Sequence, residues 1–202
     1  MAYRQTERVL ARKEKTRLLI LKAARDAVAE GGFAAVQMST VAAAAGLATG
    51  TLYRYFPSKI DLLTEIFRVV TQWEVDVMGQ VAASDGAARE RLQAALEVFS
   101  ARALQAPRLA YALIFEPVDP AVDAERLVFR RAYAEILGRL VEEGIGKKEF
   151  PKQDTAVVAN CIVGALAEAL VGPLAPGRSS TPEERQAAID SIVSFCLNAV
   201  SH

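Results

Sequence analysis

The stretch VAAAAGLATGTLYRYFPSK, from Val41 to Lys59, decides the fold. Val41 to Ala45 is small and apolar, a helical run against which a neighbouring helix can pack closely. Gly46 interrupts it, at the kind of position where a helix C-terminus commonly takes a left-handed residue. A second short helical run is predicted from Thr49 to Phe56, with Leu52 and Phe56 four apart on one inward face. Pro57 stops that run because it disfavours helical geometry at the residue before it. Ser58 then caps a new helix, with Asp61 three residues on as a partial capping box. Helix, glycine turn and short helix make the helix-turn-helix unit, whose second helix enters the major groove of DNA.

Upstream, the spacing predicts a first helix from about Lys15 to Glu30, with Leu19, Ile20, Ala23, Ala27 and Val28 as its inward stripe. Gly31-Gly32 ends it, and Phe33 turns back as an anchor. Before it, Arg4, Arg8, Arg12 and Lys13 form a basic arm without apolar periodicity, either a solvated terminus or a set of phosphate contacts. The second helix is expected near Met38, with Gln37, Ser39 or Thr40 as its cap.

Downstream, a long helix is predicted from Ser58 to Ala82, with Leu62, Leu63, Ile66, Phe67, Val70, Trp73 and Val77 on its apolar face. It continues out of the motif and is a candidate lever. Further helical patterns cover residues 87–105, 107–115, 121–143, 154–171 and 182–200. The prolines in Glu116-Pro117-Val118-Asp119-Pro120 and the run from Gly172 to Ser180 mark loops. Thr181-Pro182-Glu183-Glu184 supplies an N-cap, proline at the first helical position and a capping-box Glu. No strand alternation or repeat interrupts this. The expected fold is all-α, about nine helices by periodicity. Residues 1–57 are expected to form a helix-turn-helix domain and residues 58–202 a second, helical domain, which the resemblance given below implies is for ligand binding and dimerisation.

The charge is divided in the same way. Residues 1–60 hold ten Lys or Arg and four Asp or Glu, a net of +6. Residues 61–202 hold fourteen basic and twenty acidic side chains, a net of −6. A basic first third is the electrostatic footprint of phosphate binding. The single histidine is His202. There is no Gly-x-Ser-x-Gly, no phosphate loop and no metal-type spacing, so nothing supports an enzyme, a metal site or a cofactor. No run of about 18 uncharged apolar residues suggests a membrane span. The charged N-terminus lacks the apolar centre of a secretory signal. Cys161 and Cys196 lie in apolar surroundings and are expected as buried, reduced thiols. A cytoplasmic protein is the expectation.

The motif resembles the DNA-binding motif of the TetR family of bacterial repressors. The similarity rests on Val41-Ala42, Ala45-Gly46-Leu47, Gly50-Thr51-Leu52-Tyr53, Tyr55-Phe56 and Pro57-Ser58-Lys59, with Gly31-Gly32-Phe33 upstream. The family usually has Ser where Ala48 stands, Lys or Pro at Thr49, and Thr or Ser at Gln37. Those departures put the cap and the base contacts of the recognition helix in question, and Thr49 is the alternative cap.

The candidate DNA contacts are Ala48, Thr49, Gly50, Thr51, Tyr53, Arg54, Tyr55 and Lys59. Gly50 lets the backbone approach DNA closely. Thr49 and Thr51 offer hydroxyls to phosphate or a methyl to thymine, and Arg54 is the one strong candidate for bidentate guanine reading. The resemblance implies phosphate contacts for Tyr53 and Lys59, with packing roles as the alternative for Tyr53 and Tyr55. It also implies a homodimer on a palindromic double-stranded operator, through the last two helices. There Ala159, Val163, Ala167, Ile189, Ile192, Val193 and Cys196 form the candidate interface. The same resemblance implies a cavity for a small effector, which the apolar inner faces suggest is lipophilic. Its candidate lining is Trp73, Phe99, Leu113, Phe129, Tyr133 and Asn160. The expected function is a ligand-responsive regulator, foremost a repressor; the alternative is a helical dimeric protein-interaction module without an effector.

Overall fold

A computed structural model describes residues 7–201, and among these the chain forms nine helices and no strand. They are α1 (Glu7–Ala35), α2 (Met38–Ala44), α3 (Thr49–Tyr53), α4 (Lys59–Ala82), α5 (Ala88–Gln105), α6 (Pro107–Ile114), α7 (Pro120–Gly146), α8 (Thr155–Leu174) and α9 (Pro182–Ser201). Arg4 and His202 lie outside the described residues.

α1 to α3 enclose a small core with the first turns of α4. Ile20, Leu21, Ala24 and Val28 from α1 meet Phe33, Val36, Met38, Val41, Leu52 and Phe56. Two expectations are corrected here. Helix α1 begins at Glu7, so Arg8, Arg12 and Lys13 are helical. Its buried stripe is also rotated by about one residue, leaving Leu19 exposed while Leu21 and Ala24 face inward. A terminal helix has no fixed phase until a partner covers it, and here α6, α4 and α2 do so.

Gly46 adopts the left-handed conformation, φ 70°, at the turn between α2 and α3. Ser58 Oγ accepts a hydrogen bond from the Asp61 amide at 3.1 Å, which caps α4. At α9 the capping box is complete: the Glu184 amide donates to Thr181 Oγ1 at 3.2 Å, and the Thr181 amide donates to the Glu184 carboxylate at 3.0 Å. At α3 the N-cap is Ala48, and neither it nor Thr49 supplies a side-chain cap. Gln37 precedes α2 in the same uncapped way.

In the second part α4 packs along α7 and α5, α7 along α8, and α9 against α5. Short helix α6 lies under α1 and also touches α8. α7 runs through Gly144, where the Phe150 ring occupies the space a side chain would need. The expected end of that helix therefore moves to Gly146. Glu143 is held to a pKa of about 2 by hydrogen bonds from Arg91 and then Lys147, which ties α5 to the end of α7.

Candidate DNA interface and effector cavity

The recognition element is five residues long because Arg54 and Tyr55 form a turn ahead of Pro57. Leu52 and Phe56 are buried and fix its inner side. Ala48, Thr49, Gly50, Tyr53 and Arg54 are exposed, and Thr51 and Tyr55 are half-buried. The outward-facing candidates therefore share one solvent-facing surface. Gly50 has nothing within 4 Å of the place a Cβ would occupy, so packing within this chain does not require glycine there. Lys59 sits beside this surface at the start of α4, its Nζ 3.5 Å from the Ala34 carbonyl. Arg17 reaches across from α1 to pair with Glu65 and lies over the Phe56 ring at 5.9 Å. These contacts hold α1 and α4 as one frame for α3.

Between α4, α5, α6, α7 and α8 lies a cavity of about 120 Å³. Phe67, Val70, Thr71 and Glu74 line it from α4, all on one helical face. Phe99, Arg102 and Ala103 come from α5, and Leu109, Ala110, Leu113 and Ile114 from α6. Arg126, Phe129, Arg130 and Tyr133 come from α7, and Val163, Leu166 and Ala167 from α8. Phe99 meets Tyr133 edge-on at 5.4 Å, and Phe67 meets Phe129 at 5.9 Å.

Four expected lining residues are thus present: Phe99, Leu113, Phe129 and Tyr133. Two are not. Trp73 is 61% exposed and stands in a shallow outer groove with Val69, Gln72 and Asp76. The inward face of α4 runs through Thr71, Val75 and Met78, and Trp73 lies off it. Asn160 is exposed and donates to the Ala156 carbonyl of its own helix at 2.8 Å.

The polar groups of the cavity are specific. Arg102 binds Glu74 through two hydrogen bonds, 2.5 and 2.7 Å, which raises the guanidinium's pKa. Burial pushes the Tyr133 hydroxyl well above its ordinary value, so it stays neutral. Thr71 is buried with its hydroxyl unpartnered among the described residues. Arg126 is pulled down by burial, an effect that Asp123 opposes.

The expected dimer stripe takes a different place. Ala159, Ile189, Ile192, Val193 and Cys196 are buried within this chain, and Val163 and Ala167 line the cavity. Burial raises the Cys196 thiol to about 11, whereas Cys161 is exposed, against expectation. What α8 and α9 leave open is another face. Val157, Cys161, Gly164 and Val171 on α8 are exposed, as is Phe195 on α9 at 65%. α8 thus buries one apolar side in its own chain and leaves a second apolar side exposed. α8 is long and apolar enough by composition to cross a membrane, with a mean hydropathy of 1.8, yet it packs on α7, α6, α5 and α9.

Residues 20–66 match the family model described as bacterial regulatory proteins of the tetR family, and residues 85–170 match that of the tetracyclin repressor-like C-terminal domain. The chain belongs to the TetR family. Its motif is 55% identical over 53 residues to the transcriptional repressor KstR of Rhodococcus jostii, covering 26% of this chain and 24% of that protein. The chain thus spans about a quarter of the length of that relative. Over 162 residues it is 25% identical to the fatty acid metabolism regulator protein of Bacillus subtilis, 79% of this chain and 84% of that one. The structure of FadR from Bacillus subtilis in complex with stearoyl-CoA superposes with a TM-score of 0.78 at 22% identity, covering 91% and 99% of the two chains.

In this member of the TetR family, Ala48, Thr49, Gly50, Tyr53 and Arg54 of the motif are exposed to solvent. Apolar periodicity could not reveal Thr71, Glu74, Arg102 and Arg126, because charged side chains on an inner face read as breaks in the stripe. The available signal was their spacing, i to i+3 on α4 and i to i+7 between Arg126 and Tyr133, in phase with the apolar residues.

Proposed function

We propose that this protein is a homodimeric repressor whose two α3 helices read a palindromic operator and whose cavity admits a long apolar effector. The observation that carries the effector reading is the cavity itself. Its lining surface is mostly apolar and includes one face of α4, the helix that follows directly on the DNA motif. At about 120 Å³ it is smaller than the roughly 300–1,000 Å³ of typical ligand sites. A chain of fatty-acyl length therefore enters only by spreading α4, α6 and α7. The stearoyl-CoA in the Bacillus subtilis neighbour supports an acyl chain as the occupant.

Thr49, Thr51 and Arg54 are the base-reading candidates, and Tyr53 and Lys59 the phosphate contacts, with Ala48, Gly50 and Tyr55 flanking them. Two α3 helices serve one operator only if their half-sites lie roughly 34–36 Å apart or a multiple of this. That requires a dimer, and the exposed face of α8 and α9 fits it in place of the expected stripe. Two copies of each helix would make a four-helix bundle, with Val157, Cys161, Gly164, Val171 and Phe195 at its centre.

The test is operator affinity measured with and without stearoyl-CoA, on DNA from beside the protein's own gene. Affinity should fall by about 5- to 150-fold when the site fills. Equal affinity in both states would sink the effector reading. A reporter assay reads the sign of regulation, since a relative 24% identical over 193 residues, FasR of Mycolicibacterium smegmatis, is an activator.

A further inference from the structure

Helix α6 is fastened to the end of α1 by a buried ionic latch. Gly32 breaks α1 with φ 78° and ψ −178°. The two amides that follow, of Phe33 and Ala34, donate to the Glu116 carboxylate at 3.3 and 3.1 Å. Arg108, at the start of α6, donates to the Gly31 carbonyl at 2.6 Å and stands 3.5 Å from the same carboxylate. Glu116 follows the other end of α6 and is buried. One carboxylate thus joins the helix-turn-helix domain to the short helix that floors the cavity.

What holds Glu116 in place is Arg126. Its Nε donates to the Leu113 carbonyl at 2.9 Å and its Nη2 to the Glu116 carbonyl at 3.0 Å. These are among the carbonyls that the end of α6 leaves without helical partners. The same Arg126 lines the cavity and lies over Phe67 at 6.0 Å. Its only carboxylate partner among the described residues is Asp123, through Nη1 at 2.6 Å, and Asp123 is exposed. Its bonds to α6 and the residues just after it, to the Ala112, Leu113 and Glu116 carbonyls, are therefore all to neutral acceptors. A carboxylate or phosphate adds the attraction of a full opposite charge, which those carbonyls lack. Arg130, exposed at the cavity rim one turn along, adds a second cation in reach of such a group.

We propose that Arg126 serves the cavity and the latch at once: an anionic group on the occupant draws its guanidinium from the Leu113 and Glu116 carbonyls, and the loosened Glu116 releases the end of α1. The effector class is then an anionic amphiphile, and its charge carries the signal while its chain supplies affinity. This rests on the cavity being the effector site. The anion is either a carboxylate at the chain end or a phosphate of a thioester carrier.

The experiment compares stearate, stearoyl-CoA and octadecanol on the wild-type protein. Entry into the cavity is read by displacement of an apolar fluorescent probe, and operator affinity is read separately. All three should displace the probe. At least one anion should weaken operator binding tenfold or more, and octadecanol by less than twofold; which anion acts identifies the source of the charge. If octadecanol weakens binding as much as the anions do, or if the anions enter without weakening it, the proposal is overturned while the cavity remains a ligand site. If nothing displaces the probe, the effector reading fails and the proposal with it. Glu116→Gln tests the relay. It should leave probe displacement in place and shrink the anion's effect on operator binding several-fold. An unchanged effect would remove Glu116 from the path.

Discussion

Replacing Gly32 by alanine tests the junction of the two domains most directly. At φ 78° and ψ −178° the backbone occupies a region essentially reserved for glycine, and holding another residue there costs about 1–3 kcal/mol. A Cβ would also run into the Arg108 guanidinium and the Glu116 carboxylate. Both must retreat, leaving the amides of Phe33 and Ala34 and the carbonyl of Gly31 short of partners. An unsatisfied buried group of this kind costs about 1–3 kcal/mol. The two effects together come to about 4 kcal/mol, which for a chain of this size lowers the unfolding midpoint by about 10 °C. Gly46→Ala provides the internal control. Gly46 is also left-handed, at φ 70°, but its Cβ would meet nothing within 4 Å. Only the conformational strain applies, about 1–2 kcal/mol or about 4 °C. Thermal unfolding followed by circular dichroism measures both variants. Equal losses would refute the reasoning, because they would mean that the latch contributes nothing beyond backbone strain.

Three further outcomes are expected. Tyr53→Phe and Lys59→Ala should weaken binding to all DNA sequences alike, with Lys59→Ala also flattening its salt dependence, whereas Arg54→Ala should cost about 1–3 kcal/mol only on sites with its preferred base; competition gel shifts separate the two patterns. Phe195→Asp places a charge on the exposed face of α9 and should shift the protein to a monomer in sedimentation velocity, with loss of operator binding; a persistent dimer would move the interface elsewhere. Glu143, depressed to about 2 from an ordinary 4.5, stabilises the fold fully above its unfolded pKa and loses that contribution as pH falls from about 5 towards 2. Glu143→Gln should therefore flatten the acid limb of a melting-temperature profile.

Local signals in the chain were reliable where the structure they specify is local. Ser58 with Asp61, and Thr181 with Glu184, cap their helices as the sequence pattern predicts, since each bond closes within four residues. Gly46 turns the chain ahead of α3 for the same reason, whereas α3 ends at Tyr53, short of the Phe56 expected from Pro57. The phase of a face was less legible. Trp73 and Leu19 read as inward by size and periodicity, but which side of a helix is covered depends on neighbours far away in sequence. The Ile189, Ile192, Val193 and Cys196 stripe shows the same ambiguity. Its periodicity is genuine, yet the surface it meets is this chain's own core, in which α9 lies against α5.

The amino-acid order alone determined the helix-turn-helix, the all-helical class and the split of charge between a basic first third and an acidic remainder. These follow from backbone preferences and composition, which need no partner. Only the tertiary structure decided that Glu116, set in a proline-rich loop, reaches back some eighty residues to the amides of Phe33 and Ala34. It alone decided that Arg126 touches both that loop and the cavity. Such contacts exist only once five helices have converged, because a buried ion finds its compensating partners from whichever segments the packing brings within hydrogen-bond reach.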